Sequence, residues 1–325
     1  MKFNTPPEGR EAAMRDAYAR NITYLRLSVT DLCSLRCRYC MPAGGVPKRE
    51  HRDICSVEEL VEIARAAADC GVRKVRLTGG EPLVRRGILE ICRGIAAIPG
   101  VEELCLTTNG AALPRLAKPL REAGVDRLNV SLDTLRPERY AYMTRTGRLE
   151  DVFRGLEAAA EAGFTGTKLN VVLMKGFNDG EIPDFVDLAR RHPVEVRFIE
   201  LMPIGEGTRA QFLPAQAVLD ACPDLRPAEG SGVARRYRPP DGPGLVGLIE
   251  PMSHRFCAAC DRIRVTADGK LKPCLHSGQE ISLRGLHGEA LRRAVQDGIA
   301  AKPERHHMDE TGRSEAGRNM HQIGG

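Results

Sequence analysis

The sequence predicts an α/β fold, a barrel-like layer of parallel strands that stays open. Three observations predict it. Strand-like and helix-like runs alternate six times over the first 200 residues. Glycines stop three of the helical runs. Polar or glycine-rich segments follow the strand-like runs, as they do where strand ends carry a site. Six units fall short of the eight that close a full barrel, and a doubly wound open sheet is the alternative. In both arrangements right-handed crossovers put the site at the carboxyl ends of the strands.

Tyr24–Val29 alternates aliphatic and polar residues, reads as the first strand and runs straight into a cysteine loop. Ser56-Val-Glu-Glu59 is a capping box that opens a helix to about Cys70, which Gly71 ends. The second strand, Lys74–Thr78, leads into Thr78-Gly-Gly-Glu-Pro82 and a helix over Gly87–Ile98 stopped by Gly100. The third, Glu103–Thr107, leads into Thr107-Thr-Asn-Gly110 and a helix over Pro114–Ala123 stopped by Gly124. The fourth, Arg127–Ser131, leads into Ser131-Leu-Asp133, and Leu149–Ala162 forms a helix stopped by Gly163. Lys168–Leu173 is the fifth strand, Asp179–Arg191 a helix, and Val194–Glu200 the sixth strand, leading into Glu200-Leu-Met-Pro203. Beyond Leu201 the rhythm stops. Proline and glycine become frequent, as in Arg238-Pro-Pro-Asp-Gly-Pro-Gly244, and a domain change is expected there.

With 42% hydrophobic residues the 325-residue chain has enough apolar content for a core. No apolar run approaches the length of a membrane span, and Met1–Arg20 lacks the apolar centre of a secretory signal. A formal charge of +5 is too mild to mark a nucleic-acid binder. Eleven cysteines without a signal segment argue against a disulfide framework. Cys55, Cys70, Cys92, Cys105 and Cys222 are scattered among apolar residues and read as small buried hydrophobes.

Cys33, Cys37 and Cys40 are spaced C-x3-C-x2-C on one short loop. Three clustered thiolates can hold three irons of a 4Fe–4S cube and leave the fourth open, which points to chemistry more than to electron storage. Strand alternation adds a second clue. Leu25, Leu27, Val75, Leu77, Leu169, Val171, Val196 and Phe198 lie on the face expected to meet helices. The opposite face then carries Arg26, Arg76, Lys168 and Arg197 into the barrel interior. Buried like charges are costly unless anions match them. A triphosphate would match them, and so would paired Asp or Glu.

Cys257, Cys260 and Cys274 form C-x2-C-x13-C. Asp268-Gly269 between them predicts a two-residue type I′ hairpin pairing Ala267 with Lys270 and Ile263 with Cys274. That hairpin returns Cys274 to Cys260 and sets Arg262 and Arg264 on one face nearby. Spacing alone favours structural zinc with His276 or His254 as fourth ligand. The aligned arginines favour a second iron–sulfur cluster with an open iron and an anionic ligand.

The C-x3-C-x2-C loop with Tyr39 before its last cysteine, and Thr78-Gly-Gly-Glu-Pro82, resemble the signatures of radical S-adenosylmethionine enzymes. Further segments resemble the GTP 3′,8-cyclase family: Leu25-Arg-Leu-Ser-Val-Thr-Asp31, Leu106-Thr-Thr-Asn-Gly110, Asn129-Val-Ser-Leu-Asp133, Cys257-x-x-Cys-Asp-Arg-Ile-Arg264 and the terminal Gly324-Gly325. The resemblance runs from about Arg20 to Gly325. It implies an incomplete (βα)6 barrel of triosephosphate-isomerase type over residues 1–200. Residues 201–325 would form a C-terminal domain that closes the open side with a second cluster and a Gly-Gly tail. It implies two 4Fe–4S clusters, on Cys33, Cys37 and Cys40 and on Cys257, Cys260 and Cys274. S-adenosylmethionine would meet Tyr39, Gly80, Ser131 and Met202. GTP would meet Arg26, Arg76, Thr107, Lys168, Arg197, Arg262, Ile263 and Arg264, with Arg262 and Arg264 also assisting catalysis. One departure is visible, Ser34 where many members carry Asn.

The activity implied is conversion of GTP to 3′,8-cyclo-7,8-dihydro-GTP, the first step of molybdenum cofactor biosynthesis. A 5′-deoxyadenosyl radical takes the ribose H3′, and C3′ then attacks guanine C8. The resemblance further implies a cytoplasmic homodimer, a flavodoxin- or ferredoxin-type electron donor and cyclic pyranopterin monophosphate synthase as the next enzyme. No membrane or nucleic-acid partner is expected. A radical enzyme modifying a peptide is the first rival, and it predicts a fourth C-terminal cysteine ligand. A non-catalytic nucleotide-binding zinc protein is the second.

Overall fold

The computed structural model describes residues 14–46, 50–206, 211–230 and 232–324. Six parallel strands alternate with helices: β1 (Tyr24–Ser28), α1 (Val57–Asp69), β2 (Lys74–Thr78), α2 (Ile88–Ala96), β3 (Glu103–Thr108), α3 (Leu113–Glu122) and β4 (Arg127–Ser131). There follow α4 (Pro137–Thr144), α5 (Leu149–Glu161), β5 (Lys168–Leu173), α6 (Ile182–Arg191) and β6 (Glu195–Glu200). This is the partial-barrel α/β arrangement that the rhythm predicts. The capping box is in place at α1: Ser56 Oγ accepts from Glu59 N, and the Glu59 carboxylate accepts from Ser56 N. Such a cap stabilises a helix by about 1 kcal/mol.

Residues after 200 add α7 (Gln216–Ala221), β7 (Arg226–Ala228), β8 (Arg235–Arg238), β9 (Leu245–Ile249), β10 (Arg262–Val265), β11 (Lys270–Lys272) and β12 (Ile281–Ser282). Helices α8 (Gly288–Ala300), α9 (Met308–Thr311) and α10 (Met320–Ile323) complete the chain. These late strands extend both edges of the early sheet, in the order β12-β11-β10-β1-β2-β3-β4-β5-β6-β9-β8-β7. β10 lies parallel to β1 and β9 parallel to β6. The aliphatic strand faces pack on the helices in one core that includes Leu25, Leu27, Leu77, Val171 and Phe198. The scattered Cys55, Cys70, Cys92, Cys105 and Cys222 are all buried, as read.

Two local expectations fail. The cysteine hairpin does not pair Ala267 with Lys270 or Ile263 with Cys274; it pairs Arg264 with Lys272 and Val265 with Leu271. Gly269 N donates to Thr266 O at 2.9 Å and Gly269 takes φ +75°, whereas Asp268 does not share a positive φ. The turn is therefore a tight turn followed by a left-handed glycine in a three-residue loop, not type I′. Asp268 is held instead by Thr266 Oγ1 at 2.6 Å and by Arg318 at 3.0 Å. The second failure is α4, absent from the sequence reading. It starts at a proline and buries only Tyr140, Met143 and Thr144, too short a stripe to register as a periodic pattern.

Candidate active site

One cavity of ≈ 670 Å³ collects the predicted residues. It is lined by all six grouped cysteines, by Thr78–Glu81 at the end of β2, Thr107–Asn109 at the end of β3, Asp133 after β4, and Leu201 and Met202 after β6. It also reaches the first residues of the strands, at Lys74, Glu103, Arg127 and Lys168. The site thus runs the length of the barrel interior as well as its carboxyl rim.

The first cysteine loop is sewn to the end of α4. Arg36 N donates to Thr144 O at 2.9 Å and Arg38 N to Met143 O at 3.0 Å. Arg145, with a left-handed φ of +62°, turns its guanidinium back to Arg36 O at 2.6 Å and Met41 O at 3.1 Å. Inside the loop, Leu35 N donates to Cys33 Sγ at 3.3 Å. Burial pushes the Cys33 thiol up to about 11 and Cys40 to about 12, with Cys37 also well above the ordinary value. Loading metal on this loop must therefore release protons. Three soft sulfurs opening onto one cavity, one with a backbone donor, fit an iron–sulfur cube. Among the described residues no three His, Cys, Asp or Glu side chains surround a single ion site.

Neighbouring loops lock onto this one. Glu81 accepts from Thr108 Oγ1 at 2.8 Å, Asn109 N at 2.7 Å and Leu83 N at 3.0 Å, while burial raises its carboxyl to about 7. Asn109 Nδ2 then donates to Ser34 Oγ at 3.0 Å, so the departure noted at Ser34 keeps an acceptor there. Tyr39 Oη donates to Asp133 Oδ2 at 2.8 Å, and burial lifts that carboxyl to about 6.

The interior cations form two groups. Register sets Arg264, Arg26 and Arg76 side by side on β10, β1 and β2. Arg26 is lowered to about 10, first by burial, and Arg264 falls well below the ordinary range through burial, Arg26 and Arg262. Arg76 Nε donates to Tyr24 Oη, and its Nη1 reaches Thr107 Oγ1 at 3.4 Å. Burial raises the Tyr24 phenol, but Arg76, Arg26 and Arg262 outweigh it and leave it below the usual value. The second group is Lys168 and Arg197, which bond Glu195 at 2.9 and 2.6 Å. Of the two sources of matching charge left open above, a resident carboxylate serves this group, while the arginine row on β10, β1 and β2 crowds together.

At the second cysteine group, Lys302 is buried and donates to Arg262 O at 2.7 Å and Pro273 O at 3.0 Å. Burial raises the Cys260 thiol, and Lys302 with Arg262 more than reverses this, so its pKa is lowered. Arg20, paired with Asp16, fixes Cys257 O at 2.9 Å and Pro303 O at 2.7 Å. His276 lines the cavity, buried and edge-on to His306 at 4.9 Å, whereas His254 is exposed and off the cavity.

The C-terminal tail enters this space. His321 Nδ1 lies 3.1 Å from Cys40 O, and Gly324 O accepts from Arg264 Nη1 at 2.7 Å and Arg26 Nη2 at 3.4 Å. Gly325 lies outside the described residues. Gly324 takes φ +77°, and a Cβ there would sit 2.3 Å from Thr78 Oγ1 and 3.1 Å from Ser28 Cβ. Both backbone and space require glycine. Gly324→Ala is expected to unseat the tail, read as faster amide exchange over residues 321–324. Unchanged protection would contradict this seating.

The cysteines and the residues named for S-adenosylmethionine and GTP all line the cavity except Ile263, whose side chain is fully buried in the core beside Leu25; of the two candidate zinc histidines, His276 lines it and His254 does not. Sequence reasoning missed Lys74, Glu103, Arg127 and Arg236. Lys74 shares the parity of Arg76, so extending the alternation by one step would have found it. Glu103 holds Lys74 and Arg127, the latter at 2.8 Å.

The radical SAM superfamily matches residues 27–189, and Molybdenum Cofactor Synthesis C matches residues 194–308. Curated proteins called GTP 3′,8-cyclase are similar over nearly the whole chain. That of Moorella thermoacetica is 48% identical over 328 residues, spanning 96% of this chain and 100% of its own. That of Alkaliphilus oremlandii is 45% identical over 320 residues, with the same coverage. Among solved structures, Streptococcus suis SuiB aligns with a TM-score of 0.59 at 15% identity, over 88% of this chain and 68% of its own. That level of identity shows the shared fold alone.

Proposed function

We propose residue roles from one premise: the chain belongs to the radical S-adenosylmethionine superfamily and, within it, to the GTP 3′,8-cyclase family. Its reaction converts GTP to (8S)-3′,8-cyclo-7,8-dihydroguanosine 5′-triphosphate, the first step of molybdenum cofactor biosynthesis. The family carries a 4Fe–4S cluster and S-adenosylmethionine. The observation that supports the residue roles is the convergence of two cysteine triads and two cation groups on one cavity.

Cys33, Cys37 and Cys40 would hold the first cluster, which with S-adenosylmethionine supplies one-electron cleavage to a 5′-deoxyadenosyl radical. Tyr39, Gly80, Ser131 and Met202, one from the cysteine loop and three from the carboxyl ends of β2, β4 and β6 or just beyond, would hold S-adenosylmethionine; Asp133 fixes the Tyr39 ring by its hydroxyl. Cys257, Cys260 and Cys274 would hold a second cluster beside the guanine. Arg26, Arg76, Thr107, Lys168, Arg197, Arg262 and Arg264 bind GTP through side chains and Ile263 through its backbone. Holding the nucleotide at both ends leaves one ribose hydrogen, H3′, within reach. Once C3′ bonds C8, the base must gain one electron, from the flavodoxin- or ferredoxin-type donor proposed below, and one proton, from solvent, and Arg262 and Arg264 stabilise the charge that develops.

The division near residue 200, the homodimer, a flavodoxin- or ferredoxin-type donor, a cytoplasmic location and cyclic pyranopterin monophosphate synthase as next enzyme belong to the same proposal. Among the described residues no helix is long and apolar enough to cross a membrane. The test is anaerobic incubation of reconstituted protein with GTP, S-adenosylmethionine and dithionite. Deoxyadenosine and cyclised nucleotide are expected in equal amounts, and absence of both would overturn the reading. Iron, sulfide and zinc analysis separates a C-terminal zinc site from a second cluster.

A further inference from the structure

We propose that Arg236, on the late strand β8, is a further phosphate-binding residue of the nucleotide site, and that Glu195 is the positioning residue that aims it. This rests on the nucleotide reading above. Register explains how a residue near the sheet edge reaches the barrel interior. Arg236 pairs with Gly247 of β9, and Gly247 pairs with Arg197 of β6. The residue between the two arginines thus has no side chain. A Cβ at Gly247 would crowd Arg197 Cγ and Glu195 Oε1, each at 3.3 Å. On the far side Gly230 leaves room for the guanidinium, since a Cβ there would fall 2.2 Å from Arg236 Nη1.

Across that gap Arg236 Nη2 meets Glu195 Oε2 at 3.4 Å, the carboxylate that also takes Lys168 and Arg197. Arg236, Lys168 and Arg197 line the cavity, with Glu195 behind them. One carboxylate serving three cations leaves positive charge in surplus on the cavity side. Arg236 Nε is buried and has no hydrogen-bond partner among the described residues. A guanidinium on the cavity wall presents a planar set of donors, and a phosphate is a strong acceptor for them. An internal ion pair would satisfy Arg236 as a purely structural residue. The long 3.4 Å bond to Glu195, the place of Arg236 on the cavity wall and the charge surplus argue for a ligand that arrives from the cavity.

The test is a ladder of GTP, GDP, GMP and guanosine binding to the anaerobically purified chain. Arg236→Ala is expected to weaken GTP by about 10- to 100-fold and to leave guanosine unchanged. Arg236→Lys is expected to recover most of the loss and keeps the test decisive if the alanine variant folds poorly. Glu195→Gln is expected to weaken the phosphate-bearing ligands alone, and adding it to Arg236→Ala should cost less than the two effects combined. Equal weakening of all four ligands, or GTP binding untouched in both Arg236 variants, would overturn the proposal. Wild-type chain that binds no GTP would instead overturn the nucleotide reading, and the proposal with it.

Discussion

Replacing Lys302 by methionine is expected to strip the proposed C-terminal cluster from the protein while the first cysteine loop still loads. Lys302 is 3% exposed and its ammonium joins the two ends of the cysteine hairpin, through Arg262 O and Pro273 O. Arg262 follows Cys260 by two residues and Pro273 immediately precedes Cys274, so these bonds set the spacing of two of the three ligands. The same ammonium lies against the Cys260 sulfur, where it favours the thiolate. Methionine keeps the length of the side chain and removes the donors. One buried and one half-buried carbonyl then lose their partner, and hydrogen bonds from a charged donor are worth about 1.5–3 kcal/mol each. Removing a buried charge offsets part of that, leaving a loss of about 2–4 kcal/mol. Iron and acid-labile sulfide per chain should fall to about half, because one of two cubes is lost. Deoxyadenosine formation from S-adenosylmethionine should persist, and cyclised nucleotide should vanish. A variant with full iron content and an unchanged denaturation midpoint would show that Lys302 does not hold the hairpin.

The parts of the fold that were legible in the sequence are those set by local periodicity. The six early strands, the Ser56 cap and the placement of Arg26, Arg76, Lys168 and Arg197 on the interior cavity all follow from alternation and capping chemistry. What was not legible depends on partners distant in sequence. Nothing within Arg262–Val265 marks it as the parallel neighbour of β1, yet that pairing creates the arginine row. The hairpin shows a finer limit. Asp268-Gly269 signalled a tight turn correctly, but whether glycine occupies the second or third loop position shifts the pairing by one residue. Thr266 and Arg318, which hold Asp268, decide it. Alternation likewise found the cations, and could not say that Glu195 on the same strand face as Arg197 would serve three of them.

Nucleotide affinity is expected to decline as pH rises through about 8, and Lys168 is the residue expected to set that midpoint. Its pKa falls from 10.5 to about 8, first through burial and then through Arg197, with Glu195 opposing both. The free site therefore holds a charged Lys168 below about pH 8 and a neutral one above it. Bound phosphate favours the charged form, so the pKa in the complex must lie higher than in the free protein. Between the two values binding takes up a proton, and affinity drops by up to about tenfold per pH unit. Below about 8 both states are already protonated at Lys168, and this residue contributes no pH dependence there. Lys168→Arg keeps its charge well above pH 8, so its GTP affinity should stay level from pH 7 to about 8.5. Guanosine, lacking phosphates, should bind with no such midpoint to either protein. Equilibrium dialysis across this range decides it. A level profile for the unmodified chain, or the same slope in Lys168→Arg, would assign the phosphates to other cations of the cavity.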